Sequence, residues 1–227
     1  YGINDWGKNW KYKNIAKKLF LDFFSVDKDD VRFKREGIYH SKDIELFNKK
    51  IKIVSLDTRF FKDDFTFNKD RSLNKKYIID YDKNKTILGK EQWQWLSNEL
   101  SKKYNLFILL SSFQVLSTSH GWEKWNNFYY ERNKLLKLLN QNPLSIILSG
   151  DRHFAGIYNY KNIYEITASS FNQKTFNMIE NDNLRVGELI GKNNFGIIKL
   201  DESNIEIKIV ASESTTKEVF NTIKLKY

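Results

Sequence analysis

The 227 residues are enough for one large domain with a substantial core. Apolar residues make up 41% of the chain and aromatic residues 15%, which excludes a disordered chain, and no apolar run reaches the roughly 20 residues of a membrane-spanning helix. The formal net charge is +10, but Lys outnumbers Arg by 31 to 7 and is spread along the whole chain, which favours a compositional bias over a nucleic-acid-binding stripe. Because Cys is absent, disulfides are excluded and metal ligands are restricted to nitrogen and oxygen donors.

The first fifty residues are polar and aromatic, and they predict irregular to weakly helical structure. One short helix is predicted over 14–24, because Ile15, Leu19 and Phe23 recur at every fourth residue. This spacing places the three side chains on one face of the helix. We therefore expect a single apolar stripe along this segment.

The centre of the chain alternates between predicted strands and helices. Short apolar runs predict strands, and apolar residues at intervals of three and four predict helices. The strands are predicted at 51–56, 106–110, 145–148 and 163–167, the helices at 88–104 and 130–139, a charged loop at 62–86, and a terminal β-meander at 195–200, 205–210 and 219–225. The alternation predicts a sheet covered by helices. A single Pro and ten Gly leave few hinge points, so we expect one domain over 1–227.

Three of the predicted strands end in polar residues whose side chains can bind ligands or take part in catalysis. In sheets covered by helices, ligands bind beyond the carboxyl ends of the strands. The residues are Asp57 and Arg59 after the first strand, Ser112 and Gln114 after the second, and Asp151 and His153 after the third. Their common position predicts a functional site at this edge of the sheet.

The segment Gly-Asp-Arg-His at 150–153 follows a predicted buried strand directly. Gly150 allows a tight departure from the strand. A carboxylate at Asp151 and an imidazole at His153, two residues apart on an extended loop, can both approach a pair of divalent cations. A surface turn with a capping Asp and a half-exposed His is the other interpretation, and the segment by itself leaves both open.

Two further segments also allow two interpretations. The loop 117–132 is unusually aromatic, and it is either a lid packed on the core or a wall of the substrate site in which His120 meets the substrate or acts as an acid. Arg59 is either an anion clamp or the partner of Asp57. The Glu-Arg pair at 131–132 opens a helix and predicts a structural ion pair.

Seven segments together resemble the alkaline phosphatase D (PhoD-like) family of calcineurin-like metallophosphoesterases. They follow the family's order with plausible spacing over about residues 1–200. The segments are YGINDWGKN at 1–9, GIYHS at 37–41, IVSLDTRFF at 53–61, ILGKEQWQWL at 87–96, LLSSFQVL at 109–116, HGWEKWNNFYYERNKLL at 120–136 and ILSGDRHFAG at 147–156. One such motif is a weak signal, whereas seven in order are specific.

The resemblance implies an α/β fold of the metallophosphoesterase type, a β-sandwich flanked by helices. It implies hydrolysis of phosphate monoesters or diesters at two bridged metal ions, either iron and calcium or other divalent or trivalent ions. The family's final ligand motif matches Asp151 and His153, which are therefore interpreted as metal ligands. Arg59 and Gln114 match positions near the pocket, with phosphate-oxygen contact as the hypothesis, and Asn4 is expected close to the metals.

The chain departs from the family pattern at its beginning. An Asp-His-Asp segment usually precedes the family's Tyr-Gly-x-Asn-Asp segment, which begins here at residue 1. We therefore expect the C-terminal part of a longer protein, with the N-terminal strands and most metal ligands elsewhere and little activity of its own.

The resemblance also implies a phosphoester substrate and export, to the periplasm, the cell surface or the medium. Nucleic acid is not expected as a partner other than as a substrate. Two alternatives to catalysis stay open. One is a non-catalytic module that binds an anionic polymer, and the other is an inactive remnant of an enzyme.

Overall fold

The computed structural model describes residues 2–70, 75–173, 180–213 and 216–227. The helices are α1 (Lys13–Phe23), α2 (Val31–Lys34), α3 (Gly89–Leu100) and α4 (Tyr129–Leu139), with a 3₁₀ turn at Trp125–Asn127. The strands are β1 (His40–Leu46), β2 (Lys49–Ser55), β3 (Leu106–Ser111), β4 (Ser145–Ser149), β5 (Ala155–Tyr160), β6 (Ile163–Ala168), β7 (Arg185–Ile190), β8 (Asn193–Leu200), β9 (Asn204–Glu213) and β10 (Thr216–Lys226). Within these ranges no helix has the length and apolar character needed to cross a bilayer.

A seven-stranded mixed sheet lies at the centre of the fold, in the order β1-β2-β3-β4-β6-β5-β7. Strands β2, β3, β4 and β6 run parallel to one another, and β1, β5 and β7 pair antiparallel with their neighbours. A second, antiparallel sheet has the order β10-β9-β8. The parallel centre brings the carboxyl ends of β2, β3 and β4 to the same edge.

Alternate residues of the central strands enter two different cores. In β3, Phe107 and Leu109 pack in the core that contains α3 and α4, whereas Leu106 and Ile108 pack in the core shared with β9. This alternation follows from the two-residue period of a strand, and each buried aliphatic side chain contributes about 1.5 to 3 kcal/mol. The central sheet is therefore covered by helices on one face and by the second sheet on the other, so the predicted α/β sandwich is confirmed.

The first fifty residues contain a strand, β1, where only irregular or weakly helical structure was predicted. β1 is largely exposed, because it is an edge strand that pairs with β2 alone. Phe47 and Asn48 form the connecting turn with positive φ values of 52° and 56°, as in a tight hairpin. Edge strands are commonly polar and charged, so β1 lacks the apolar alternation that predicts a strand. Strands β5 and β7 were also not predicted.

Helix α1 was predicted correctly, but its apolar stripe faces the solvent. Ile15, Leu19 and Phe23 are 58%, 63% and 80% exposed, whereas Leu21 on the opposite face is fully buried. On that opposite face, Lys13 and Lys17 donate hydrogen bonds to the backbone carbonyl groups of Phe60 and Arg35. Periodicity thus predicts the helix, and tertiary contacts decide which face is covered.

Candidate active site

The loops after β2, β3 and β4 meet at one edge of the central sheet. The Thr58 and Ser112 hydroxyl groups form a hydrogen bond, and the Leu56 N–H donates to the Leu110 carbonyl at 3.1 Å. Gly150 lies close by, since a Cβ added there would be 3.6 Å from the Ser112 carbonyl oxygen. The structure therefore brings together the three strand ends at which a functional site was predicted. We call the loops 57–63, 112–117 and 150–154 the site edge.

Asp57 organises the loop after β2. Its Oδ1 accepts hydrogen bonds from the backbone N–H groups of Arg59 and Phe60, at 3.0 and 2.9 Å. Its Oδ2 accepts a hydrogen bond from the Ile38 N–H at 3.0 Å. The carboxylate is thus bonded to main chain, and the Arg59 guanidinium is bonded elsewhere. This tight turn fixes the backbone from which Arg59 extends.

The Arg59 guanidinium forms a bidentate ion pair with Glu123. Arg59 Nη1 donates to Glu123 Oε2 at 2.7 Å, and Nη2 donates to Oε1. The two residues are 64 positions apart, so the pair ties the aromatic loop to the end of β2. Burial raises the pKa of Glu123 to about 7, while the guanidinium pulls it in the opposite direction. Glu123 was not predicted as a site residue, although it is the only carboxylate between 117 and 130.

Asp5 also contributes to the electrostatics of this edge. It accepts hydrogen bonds from the Tyr77 hydroxyl, at 2.6 Å, and from Lys76. Burial works to raise the pKa of Asp5, but these two bonds outweigh it, and together with the charge of Arg59 they lower the pKa below its usual value. The neighbouring Asn4, which was the predicted site residue, is exposed.

Asp151 and His153 lie at the tip of the loop after β4, and both are exposed. Both have positive φ, 74° and 56°, a conformation that costs non-glycine residues about 1 to 3 kcal/mol and that the surrounding structure must enforce. Partial desolvation raises the pKa of Asp151, and the negative charge of Asp5 raises it further. The positive charges of Arg59 and His153 act in the opposite direction. Asp5, Arg59, Asp151 and His153 therefore form one electrostatic group.

Gln114 lies inside the protein. It is fully buried, and its Nε2 donates to Thr167 Oγ1 at 2.8 Å. Thr167 Oγ1 is also 2.9 Å from the Ser149 hydroxyl oxygen. Gln114 thus links the end of β3 to the ends of β4 and β6.

His120 is buried in the aromatic loop. Its Nδ1 accepts the Trp122 N–H at 3.1 Å, so the neutral ring carries its proton on Nε2. Burial, with the nearby positive charges of Arg152 and Lys124, lowers the pKa of His120 well below its usual range. The imidazole is therefore neutral at physiological pH.

A second set of buried charges holds the turn after β3. The Glu165 carboxylate accepts the N–H groups of Val115 and Leu116 at 2.8 and 2.5 Å. Arg132 donates to the carbonyl oxygens of the same two residues, from Nε at 2.6 Å and from Nη2 at 2.8 Å. We call Glu165, Arg132, Val115 and Leu116 the backbone clamp.

The ion pair predicted at 131–132 is wrong. Glu131 accepts the Ile87 N–H at 2.9 Å and the Trp93 indole N–H at 2.8 Å, at the start of α3. Arg132 instead belongs to the backbone clamp. Adjacent residues on a helix point in different directions, so they do not face each other.

The described residues do not by themselves fit a two-metal site. In the ranges that the structure covers, no three His, Cys, Asp or Glu side chains come close enough together to hold a cation. Asp151 and His153 offer two donors, and Asp5 is already bonded to Tyr77 and Lys76. A bridged pair of cations needs a larger donor set.

The family model of the PhoD-like phosphatases matches residues 13–196. The chain belongs to the PhoD-like phosphatase family. Asn4 and Asp5 lie outside the matched residues. The predicted family is thereby confirmed, and it agrees with the strand-end geometry described above.

Solved structures show the same fold. A structure of PhoD superposes with a TM-score of 0.70 at 13% identity, over 98% of this chain and 51% of that chain. GAP50, described as the anchor in the inner membrane complex of Plasmodium, superposes with a TM-score of 0.56 at 16% identity, over 83% of this chain and 54% of that chain. The chain thus spans about half the length of either structure. No curated protein sequence matches it.

Proposed function

We propose that the protein hydrolyses phosphate monoesters or diesters in a metal-dependent reaction, with the phosphoryl group bound at the site edge. Membership in the PhoD-like phosphatase family supports phosphoester chemistry. The observation that carries the proposal is the convergence of Arg59, Asp151 and His153 at the ends of parallel strands, where α/β sheets bind ligands.

Asp151 and His153 are the proposed metal ligands. Their exposure at the tip of a loop with a fixed, strained backbone supports this assignment. The resemblance to PhoD-like enzymes favours iron and calcium among the possible ions. Because the described residues supply an incomplete donor set, we propose that residues 1–227 are inactive in isolation.

Four residues are proposed to act around the phosphoryl group. Arg59 is proposed to contact the phosphate oxygens, because its guanidinium reaches the site edge and can donate two parallel hydrogen bonds. Asn4, exposed beside Asp5, is a proposed contact at the rim. Gln114 and His120 are buried, so we propose that they support the site from behind, through Thr167 and through the aromatic loop.

Two further proposals concern domain organisation and localisation. Residues 1–227 are proposed to form a single domain, since the two cores share the central sheet. Export to the periplasm, the cell surface or the medium is proposed from the resemblance alone.

The direct test is His153→Ala in the native full-length protein. Hydrolysis of p-nitrophenyl phosphate and bis-p-nitrophenyl phosphate is measured together with metal content by mass spectrometry. We expect kcat/KM to fall by about 100-fold or more, with loss of bound metal, because even residues that only support a metal ligand cost 10- to 100-fold. Lys161→Ala is the matched control, because Lys161 also has positive φ but lies in the turn between β5 and β6, at the opposite end of the sheet. Unchanged activity and metal content in His153→Ala would refute the ligand assignment.

Chelation separates the enzyme from the two alternatives. An enzyme of the proposed kind loses its activity with a chelator and regains it with added cations. A module for anionic polymers instead binds without metal, with an affinity that falls steeply as salt rises. A remnant of an enzyme neither hydrolyses the esters nor binds the cations.

A further inference from the structure

The backbone that carries Glu123 is held in place independently of Arg59. Glu123 is 2% exposed, in a loop anchored on both sides. Before it, the Gly121 carbonyl accepts the Tyr77 N–H at 2.9 Å, and after it, the Trp125 N–H donates to the Gln114 carbonyl at 2.8 Å. The buried carboxylate therefore extends from a backbone segment that is anchored on both sides.

Arg59 is held on two sides. The Glu123 carboxylate accepts one hydrogen bond from each terminal nitrogen of the guanidinium. The guanidinium carbon lies 5.3 Å from the centre of the Phe113 ring. An arginine side chain has about 2 kcal/mol of rotamer entropy, which these contacts remove before a ligand arrives. A guanidinium has five N–H donors, so the Nε group and the second N–H of each terminal nitrogen remain outside the pair.

We propose that Glu123 is a positioning residue, which aims the Arg59 guanidinium at the phosphoryl group of the substrate. The proposal rests on the proposed function, in which Arg59 contacts the phosphate. It assigns to the aromatic loop a definite role, because that loop carries the acceptor that orients the anion-binding group. Glu123 itself does not touch the substrate.

The test is a double-mutant cycle in the native full-length protein, with Arg59→Ala, Glu123→Gln and the double variant. Both kcat/KM for bis-p-nitrophenyl phosphate and the affinity for inorganic phosphate are measured, and thermal unfolding gives the folded fraction. We expect Glu123→Gln to lower kcat/KM about tenfold, and the double variant to be no worse than Arg59→Ala, since the two residues act as one unit. Glu123→Asp, which keeps the charge, is expected to recover part of the loss.

Chemical rescue separates positioning from a general structural effect. Added guanidinium ion is expected to restore activity and phosphate affinity to Arg59→Ala while Glu123 is present, and to fail in the double variant. Glu99→Gln is the matched control, because Glu99 forms another partly buried ion pair, with Lys52 at 2.6 Å, and is expected to change stability alone.

The outcomes distinguish this proposal from the proposed function. If the wild-type protein hydrolyses the ester but the two substitutions are additive, or rescue is equal in both backgrounds, Glu123 does not position Arg59. If the wild-type protein binds phosphate with the expected coupling but hydrolyses no ester, the proposed function fails and the positioning role stands. If Arg59→Ala leaves hydrolysis and phosphate affinity unchanged, the positioning role is overturned.

Discussion

The Arg59–Glu123 pair and the backbone clamp each contain a buried carboxylate and an arginine, but they differ in their partners. In the backbone clamp, Glu165 is completely buried, and it and Arg132 bond to the N–H and carbonyl groups of the same turn. Arg59 is partly exposed, and three of its five N–H donors lie outside its pair. Charged side chains that are bonded to backbone groups fix the conformation of a loop. An arginine at a strand end whose remaining N–H donors lie outside its ion pair is suited to bind a ligand.

Removing the carboxylate of the backbone clamp is expected to give the largest effect. Glu165→Ala leaves two backbone N–H groups and a nearby guanidinium without their anion, and we expect a loss of about 3 to 5 kcal/mol in the free energy of unfolding. Urea unfolding measures this loss. Glu165→Gln, which keeps one acceptor oxygen, is expected to lose less. A loss below about 1 kcal/mol in Glu165→Ala would show that the carboxylate of the backbone clamp does not stabilise its turn, and the contrast between the two charged clusters would then fail.

His120 provides a smaller test, through pH. Because burial lowers its pKa, below about pH 6.5 the unfolded chain binds a proton at His120 that the folded chain does not. This group therefore makes stability fall as pH falls, by at most about 1.4 kcal/mol per pH unit. His120→Asn, which retains an acceptor for the Trp122 N–H, is expected to remove that part of the slope. Identical slopes in the two proteins, from unfolding at pH 5 to 7.5, would contradict a buried neutral imidazole.

The outer face of α1 is expected to give the smallest effect. Phe23→Ser on this exposed stripe should change the free energy of unfolding by less than about 0.5 kcal/mol, because the side chain buries little surface. Leu21→Ala on the buried face of the same helix is the control, with an expected loss of about 2 to 5 kcal/mol. Chemical denaturation of both variants measures the difference, and equal losses would show that Phe23 is covered.

Much of the fold could be predicted, because its central strands are buried and apolar. The runs at 106–110 and 145–148 lie within β3 and β4, and helices α3 and α4 follow from their apolar spacing. β1 could not be predicted in the same way, because an edge strand exposes most of its residues. The structure brings the three predicted strand ends to one edge of the sheet. That this edge is the functional site, and that Asp151 and His153 act there, remain predictions.

The sequence by itself determined the strand-helix alternation, the sheet covered by helices and the family, since these depend on local periodicity and on motifs in order. Only the tertiary structure decided that Arg59 pairs with Glu123, that Gln114 lies inside the protein and that the apolar stripe of α1 faces solvent. Each of these depends on contacts between residues that are far apart in the chain or on the side from which an element is covered. Local spacing carries no information about either.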